Sequence, residues 1–252
     1  MLRYEASTYG DAFADVYDDW YKGVSDVDST ADLVVALARR SRPADATVLE
    51  LGVGTGRLAL PLAARGLAVT GVDASTAMLA RLHERDPDRR VRTVLGDMVD
   101  DLPPGPFDVV LIAYNTFFNL LTTERQAACV AAVAGRLAPA GSFVVEAFVP
   151  EDPPRRGDVV TIRSMSADEV VLSVSRHDPA GQRAEGHFVH LADGHPVRLR
   201  PWSIHYCTPV ELDAMAAAAG LVLTERWEDV GGAPFDPDSP RHVSVYTPAG
   251  RP

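Results

Sequence analysis

Residues 50–57, with the sequence ELGVGTGR, carry the side chains and spacing that could do chemistry. Glycines at alternate positions (Gly52, Gly54 and Gly56) let the backbone lie flat against a ligand. The dinucleotide fingerprint G-x-G-x-x-G places its third glycine where this chain has Arg57, so the geometry of a pyrophosphate on a helix N-terminus is not reproduced. The loop therefore favours a nucleoside without phosphates.

Two acids follow the glycine loop at informative positions. Asp73 lies 73 − 52 = 21 residues after Gly52, where a carboxylate can accept both hydroxyls of a ribose. Asp97 precedes Met98, and an acceptor beside an apolar side chain suits an adenine. Each feature alone has an ordinary explanation, namely a glycine turn, a helix cap at Asp73 and a loop acid at Asp97. Their order along the chain favours a nucleoside site.

The elements that must position these residues alternate regularly. Between helical segments lie five short apolar runs: TVLELG, LAVTGVD, VRTVLGD, PFDVVLIAYN and GSFVVEAFV. Such alternation predicts a parallel sheet covered by helices on both faces. Ser75 is the expected N-cap of the second helix, and Pro139 is expected to end the helix that starts near Thr123. Ligands of such sheets bind at the carboxyl ends of the strands.

The flanking segments follow other patterns. The first forty residues predict two helices, one over 11–22 and one starting at Asp28 or Ser29. Residues 158–206 alternate with period two, which predicts an antiparallel meander of three or four strands. Thr208 begins a capping box for the next helix, and two strands close the chain. We predict a single domain over 1–252, with an N-terminal helical lid over 1–40 and an inserted β subdomain over 151–206 that covers the substrate.

The composition of the chain disfavours several classes of binding partner. The chain has 252 residues and a net charge of −11, which disfavours nucleic acid. No apolar run is long enough for a membrane span, and the first residues lack the features of a signal peptide. The two cysteines suggest neither a disulfide framework nor a zinc site, so a cytoplasmic location is expected. No metal-ligand pattern occurs.

Several motifs in order resemble one family. They are VLELGVGTGRLALPLA, VTGVDAS, VLGDM, FDVVLIAYNTFFNL, LAPAGSFVVE and RHVSVYTP, which together span about 47–146 and the last forty residues. The chain resembles class I S-adenosylmethionine-dependent methyltransferases, and most closely those that act on small molecules of the natural-product type. The resemblance implies an α/β fold with a doubly wound, seven-stranded, mostly parallel Rossmann-like methyltransferase sheet, plus the antiparallel β insertion.

The resemblance also implies roles for particular residues. The glycines would lie against the methionine part and ribose of S-adenosylmethionine, with S-adenosylhomocysteine as the product. Glu50 would support the loop or bind the amino group, Asp73 would bind the ribose, and Asp97 with Met98 would flank the adenine. The full expected cofactor set is Tyr17, Tyr21, Glu50, Gly52, Gly54, Gly56, Arg57, Asp73, Ala74, Met78, Asp97, Met98, Ala113, Tyr114, Asn115 and Phe118.

The catalytic residues are harder to assign. A base is needed only when the acceptor must lose a proton, and the candidates for the catalytic site are His205, Tyr206 and Asn115. His187 and His190 lie on opposite faces of their strand, so both are not expected to point inward. Tyr17 and Tyr21 fit either aromatic partners of the sulfonium or the core of an amphipathic helix.

The expected activity is methyl transfer to an oxygen or nitrogen atom of a small molecule, in secondary metabolism. An enzyme of the same fold that binds the cofactor and catalyses cyclisation, isomerisation or decarboxylation is the main alternative. An NAD(P)-dependent oxidoreductase is disfavoured by Arg57 and by the antiparallel last strand, and a non-catalytic partner subunit by the complete site. A homodimer is left open.

Overall fold

The computed structural model describes residues 4–250, so the first three and last two residues of the predicted domain lie outside it. The α-helices of the described chain are α1 (Thr8–Phe13), α2 (Tyr17–Trp20), α3 (Val27–Ser41), α4 (Ala59–Ala64), α5 (Thr76–Arg85), α6 (Thr123–Ala134) and α7 (Pro209–Ala218). Its strands are β1 (Thr47–Leu51), β2 (Ala68–Asp73), β3 (Val91–Leu95), β4 (Phe107–Ile112), β5 (Leu137–Phe148), β6 (Gly157–Met165), β7 (Glu169–Asp178), β8 (Arg183–Ala192), β9 (Arg198–His205), β10 (Leu221–Trp227) and β11 (Arg241–Pro248).

Seven of these strands form one sheet in the spatial order β3-β2-β1-β4-β5-β11-β10. Strands β1 to β5 pair in parallel, whereas β11 is antiparallel to both β5 and β10. The order reverses at β1, which has β2 on one side and β4 on the other. The predicted doubly wound, mostly parallel sheet is thus confirmed, and its switch point lies beside the glycine loop.

Helices cover both faces of this sheet. Side chains such as Val130 of α6 and Leu212 of α7 are buried on one face, and Leu37 of α3, Leu62 of α4 and Leu82 of α5 are buried on the other. Every residue of the central strand β4 is buried as a result. A strand covered on both sides reads as a continuous apolar run, which is why the sequence pattern was informative here.

The inserted segment forms a separate antiparallel sheet in the order β6-β7-β8-β9. Its four strands agree with the predicted meander. One face packs against the N-terminal helices, where the ring of Phe188 lies 5.8 Å from that of Phe13 and 5.8 Å from that of Trp20, both edge-on. The sheet is therefore joined to the N-terminal segment by an aromatic cluster.

Two of the predicted helix starts are confirmed. Ser75 caps α5, and its Oγ accepts the backbone N–H of Met78 at 3.1 Å. Thr208 and Glu211 form the predicted capping box of α7, with Pro209 at the first helical position. Local side-chain chemistry fixes both starts.

Three predicted boundaries were wrong. The helix over 11–22 is broken, because a turn between Phe13 and Val16 separates α1 from α2. Helix α3 starts one turn early, since Asp26 rather than Asp28 or Ser29 caps it. Helix α6 ends at Ala134 and not at Pro139, because Leu137 already pairs with Phe107 in the sheet ladder.

Candidate active site

A cavity lies at the carboxyl ends of β1, β2 and β3, beside the switch point. Half of the predicted cofactor residues line it: Tyr17, Gly52, Gly54, Asp73, Ala74, Met78, Asp97 and Met98. It is also lined by residues that the sequence did not single out: Ala6, Tyr9, Gly10, Val72, Gly96, Thr116, Asn119 and Leu120. The cavity is thus built from five separate parts of the chain.

The glycine loop folds back over the end of β2. The backbone N–H groups of Gly52 and Val53 both donate to the carbonyl oxygen of Val72, at 2.8 and 3.0 Å. Gly52 has a φ of +71°, and a Cβ there would lie 2.4 Å from Cγ2 of Thr116. Gly54 has a φ of +55° and open space where a Cβ would be. The loop therefore needs glycine at both positions, the second of which leaves room for a ligand.

Asp73 lies at the end of β2 with both carboxylate oxygens anchored. Oδ2 accepts the N–H of Gly54 and Oδ1 accepts the N–H of Ser75, each at 2.8 Å. Burial raises the pKa of Asp73, and these two hydrogen bonds oppose the rise. A carboxylate oxygen has about two lone-pair sites, so each oxygen keeps capacity for a ligand hydroxyl. The pair of oxygens matches the two hydroxyls of a ribose.

Asp97 and Met98 follow β3 and line the same cavity. Oδ1 of Asp97 forms an ion pair with Nη2 of Arg125 at 2.6 Å, and the Asp97 side chain is 26% exposed. Met98 packs against the edge of the core. A hydrogen-bond acceptor and an apolar side chain thus adjoin, which suits the amine edge and flat face of an adenine.

Glu50 and Arg57 flank the loop without lining the cavity. Burial raises the pKa of Glu50 to about 8, with Arg57 opposing the rise and Asp73 adding to it. Oε2 of Glu50 is buried and has no hydrogen-bond partner among the described residues. Arg57 donates to Oγ of Ser25, and its positive charge opposes the burial that raises the pKa of Tyr17. The buried carboxyl thus has spare acceptor capacity for a positively charged group.

Tyrosines of the N-terminal helices close one side of the cavity. The hydroxyls of Tyr9 and Tyr21 are 2.7 Å apart, and the rings of Tyr17 and Tyr21 stack at 4.7 Å. The sequence analysis missed Tyr9, whose position depends on the close packing of the neighbouring Gly10. A Cβ at Gly10 would lie 2.4 Å from Cβ of Ser75, so α1 packs closely on the start of α5.

Acids fasten this N-terminal segment to the rest of the chain. Their contacts are Asp11 with Ser75 at 2.6 Å, Asp18 with Thr55 at 2.6 Å, and Asp15 with Arg198 at 2.7 Å and with Arg200 at 2.9 Å. The first two acids bind the residues that directly follow Ala74 and Gly54 in the cavity lining, and the third binds the inserted sheet. The segment therefore bridges the core and the insertion.

The predicted residues after β4 do not line the cavity. Tyr114 has a φ of +49°, and its backbone N–H donates to Oε2 of Glu146 at 2.8 Å. Oδ1 of Asn115 accepts the N–H of Phe148 at 2.8 Å. Phe118 is buried with its ring 4.8 Å from that of Phe148. Ala113 is buried too, whereas Thr116 and Asn119 of the following turn line the cavity.

His205 and Tyr206 lie where the insertion re-enters the core. His205 is buried, and its Nε2 lies 3.0 Å from Oγ1 of Thr123. Tyr206 is half-buried with its ring 6.2 Å from that of Phe148, and burial raises its pKa. Neither lines the cavity. His187 is exposed, and His190 lies on the opposite face of β8, with its ring 5.6 Å from that of Trp20.

Known proteins are similar to this chain over most of its length. Residues 48–141 match the family described as a methyltransferase domain. A cypemycin N-terminal methyltransferase from a Streptomyces species is 31% identical over 234 residues, which cover 92% of this chain and 94% of that protein. The chain belongs to the class I S-adenosylmethionine-dependent methyltransferases. Their cofactor is S-adenosylmethionine.

Solved methyltransferase structures share the whole architecture. The CcbJ methyltransferase from Streptomyces caelestis is 40% identical with a TM-score of 0.90, covering 98% of this chain and all of that one. The S-adenosylmethionine-bound CalS10, an amino pentose methyltransferase from Micromonospora echinaspora, is 26% identical with a TM-score of 0.69, covering 97% and 98% of the two chains. The chain is thus similar over its full length to methyltransferases of natural-product pathways.

The cavity of this methyltransferase fits its cofactor. Asp73 offers two anchored oxygens and Gly54 leaves open space, and both residues line the cavity. When bound, S-adenosylmethionine supplies an activated methyl group. The residues of the chain then bind and orient it and exclude water, which can lower a transfer barrier by about 7–11 kcal/mol.

Two further observations concern the part of the chain that the structure describes. It holds no cluster of three His, Cys, Asp or Glu side chains that could bind a metal ion. Nor has any of its helices the length and apolar character of a membrane span.

Proposed function

We propose that this methyltransferase transfers a methyl group to an amine nitrogen of a small natural product. The observation that carries the proposal is the enclosure of the cavity: helices α1 and α2 close over it and are joined to the inserted sheet. Such an enclosed site suits a small acceptor. We assign the cofactor roles to the residues that line it, with Asp73 on the ribose and Asp97 with Met98 at the adenine.

Nitrogen is favoured over oxygen because, in the part of the chain that the structure describes, none of the predicted catalytic residues His205, Tyr206 and Asn115 lines the cavity. A phenol or alcohol must lose a proton, whereas a neutral amine can accept a methyl group unaided. Of the predicted catalytic residues, His205 is held by Thr123 and the side-chain oxygen of Asn115 accepts the N–H of Phe148. Burial raises the pKa of Tyr206. The names of the cypemycin N-terminal methyltransferase and of the amino pentose methyltransferase support the same acceptor.

The inserted subdomain and the N-terminal lid are proposed to hold the acceptor. Rings lie on this side of the site in contacting pairs, Tyr21 with Tyr114 and Phe148 with Tyr206, each pair with centroids 6.2 Å apart. Aromatic faces attract a protonated amine and also pack against sugar or peptide groups. We therefore expect an acceptor that carries an amine on an apolar or ring-shaped body.

Incubation with a panel of natural products tests the proposal. Each amine-bearing compound is paired with an analogue that has a hydroxyl in place of the amine. We expect S-adenosylhomocysteine release and a product heavier by one methyl group only with the amines. Methylation of the hydroxyl compounds alone would contradict the amine assignment. A rearranged or decarboxylated product without S-adenosylhomocysteine would support the non-methylating alternative.

We propose further that the protein forms a homodimer through the outer face of the inserted sheet. Aliphatic side chains form rows across this face: Val160 with Val174, then Ile162, Leu172, Val189 and Leu199, then Met165, Val170 and Leu191. Val160, Ile162 and Leu199 are about 60% exposed. Four strands of about nine residues span roughly 19 by 30 Å, or about 570 Å² per partner, which is the size of a small, weak interface.

Charges at one end of this face support a second copy as the occupant. Arg176 of β7 and Glu185 of β8 are exposed cross-strand neighbours. A two-fold axis running between β7 and β8, parallel to them, would place each Arg176 opposite the partner's Glu185. Such self-complementarity is what an isologous interface requires.

A cytoplasmic location also stays a proposal. Cys129 and Cys207 are both buried and free. Free cysteines are the rule in a reducing compartment.

A further inference from the structure

Only one of the two carboxylate oxygens of Asp97 accepts hydrogen bonds from the described residues. Its Oδ1 accepts three hydrogen bonds, from Nη2 of Arg125 at 2.6 Å, from the N–H of Val99 at 2.7 Å and from the N–H of Asp100 at 3.3 Å. Every hydrogen bond that the described residues make to this carboxylate goes to Oδ1. Oδ2 thus keeps its full acceptor capacity on a side chain that lines the cavity.

Arg125 is in turn fixed by helix α6. It is the third residue of that helix, and its N–H donates to Oγ1 of the N-cap Thr122 at 3.2 Å. One turn later, Sγ of Cys129 contacts the carbonyl oxygen of Met98 at 3.6 Å. The same helix face therefore holds both Asp97 and Met98, the two residues that we place against the adenine.

The guanidinium of Arg125 also separates like charges. Its Nη1 lies 3.1 and 2.9 Å from the two oxygens of Asp100, while Nη2 binds Asp97. Asp101, in the same turn, accepts the N–H of Asp97 at 2.8 Å. Three carboxylates thus lie within the five residues 97–101. The guanidinium of Arg125 lies between two of these carboxylates, those of Asp97 and Asp100. Without it, Asp97 and Asp100 would repel each other.

We propose that Arg125 is a positioning residue that sets the base specificity of the cofactor site through Asp97. By saturating Oδ1, Arg125 and the two loop amides present Oδ2 as a pure acceptor, which pairs with the exocyclic amine of adenine and rejects a carbonyl at that place. A planar guanidinium is suited to this role because it spans two carboxylates in one plane. The inference rests on the proposed location of the adenosine.

The test measures binding of two ligands to the full chain by calorimetry: S-adenosylhomocysteine and its inosine analogue, which has a carbonyl in place of the amine. The wild type should prefer the adenine ligand. Arg125→Ala should weaken binding of the adenine ligand about five- to tenfold and leave the inosine ligand nearly unchanged, since the pair is partly exposed. Arg125→Lys should bind the adenine ligand with an affinity between those of the wild type and Arg125→Ala. A lysine keeps the positive charge but lacks the planar guanidinium that binds two carboxylates. Arg155→Ala, which removes an exposed arginine paired with Glu151, is the matched control and should change neither affinity.

Other outcomes separate the two proposals. In an Asp97→Ala background, Arg125→Ala should add no further loss, because the two act through one contact. An unchanged preference in Arg125→Ala, or an equal loss for both ligands, would overturn the positioning role while leaving the cofactor site intact. If the wild type shows no preference for the adenine ligand, the proposed location of the adenosine fails as well.

Discussion

Oδ2 of Asp73 accepts the backbone N–H of Gly54 at 2.8 Å, so one side chain joins the end of β2 to the middle of the glycine loop. Asp73→Ala should therefore lose both the ribose partner and the anchor of the loop. We expect S-adenosylmethionine affinity to fall at least about a hundredfold, measured by calorimetry, with the fold intact by circular dichroism. Asp32→Ala, which removes an exposed acid bound to Arg65, should bind normally. Micromolar affinity retained in Asp73→Ala would contradict the assigned site.

Gly54→Val should abolish cofactor binding, because the new side chain would occupy the open space that the ligand needs. The positive φ adds a strain of roughly 1–2 kcal/mol. Gly220 is a suitable control, since it has a φ of +77° and the same open surroundings but lies far along the chain at the end of α7. Gly220→Val should lower the melting temperature similarly and leave affinity unchanged. Equal binding by both variants would argue against a ligand at Gly54.

His205→Ala should reduce turnover of an amine acceptor by less than about tenfold and leave cofactor affinity unchanged. The reason is that Nε2 already contacts Thr123 and a neutral amine needs no base. Steady-state kinetics across pH provide the measurement. A loss beyond about a thousandfold, with disappearance of one limb of the pH–rate profile, would make His205 a general base and would favour an oxygen acceptor.

Glu50 should make the cofactor-free protein less stable as pH rises. Its pKa is about 8 in the folded state against 4.5 ordinarily, so the native state binds more protons between these values and the free energy of unfolding falls through that window. At about 1.4 kcal/mol per pKa unit, the fall amounts to a few kcal/mol. Urea unfolding of wild type and Glu50→Gln at pH of about 5 and about 8 checks this. Parallel pH profiles for the two proteins would refute it.

A charge on the outer face of the inserted sheet should disrupt the proposed dimer. Ile162→Glu introduces a carboxylate into the middle row, where two copies would desolvate it. Sedimentation velocity should show a dimer for wild type and a monomer for the variant. Val210→Glu changes an aliphatic residue that is 75% exposed on α7 and should stay dimeric. A monomeric wild type in the same sedimentation experiment would contradict the proposed dimer.

The sequence was most informative where short-range chemistry decides the structure. Apolar runs buried on both faces, such as β4, predicted the parallel sheet, and the caps at Ser75 and Thr208 followed from single side chains. The position of Asp73 after β2 was also readable, because the strand end and the switch point coincide. These features depend on neighbours within one element.

The rest depended on contacts between distant segments. Tyr9 reaches the cavity only because α1 packs on α5 through Gly10, and no local pattern states that pairing. Arg125 of helix α6 meets Asp97 although the two are 28 residues apart in the chain. The end of α6 was misplaced because pairing of Leu137 with β4 overrides the local helical pattern. All sixteen cofactor residues stay predictions, and eight of them do not line the cavity: Tyr21, Glu50, Gly56, Arg57, Ala113, Tyr114, Asn115 and Phe118.

The acids Asp11, Asp15 and Asp18 fasten the N-terminal helices to three different parts of the molecule. We therefore expect ligand exchange to require movement of these helices. Release of the spent nucleoside requires several charged and polar contacts to break together, a motion of the kind that often limits turnover. The breaking of these contacts would then limit the turnover rate. Solvent viscosity and ionic strength would affect that rate more than the nucleophilicity of the acceptor.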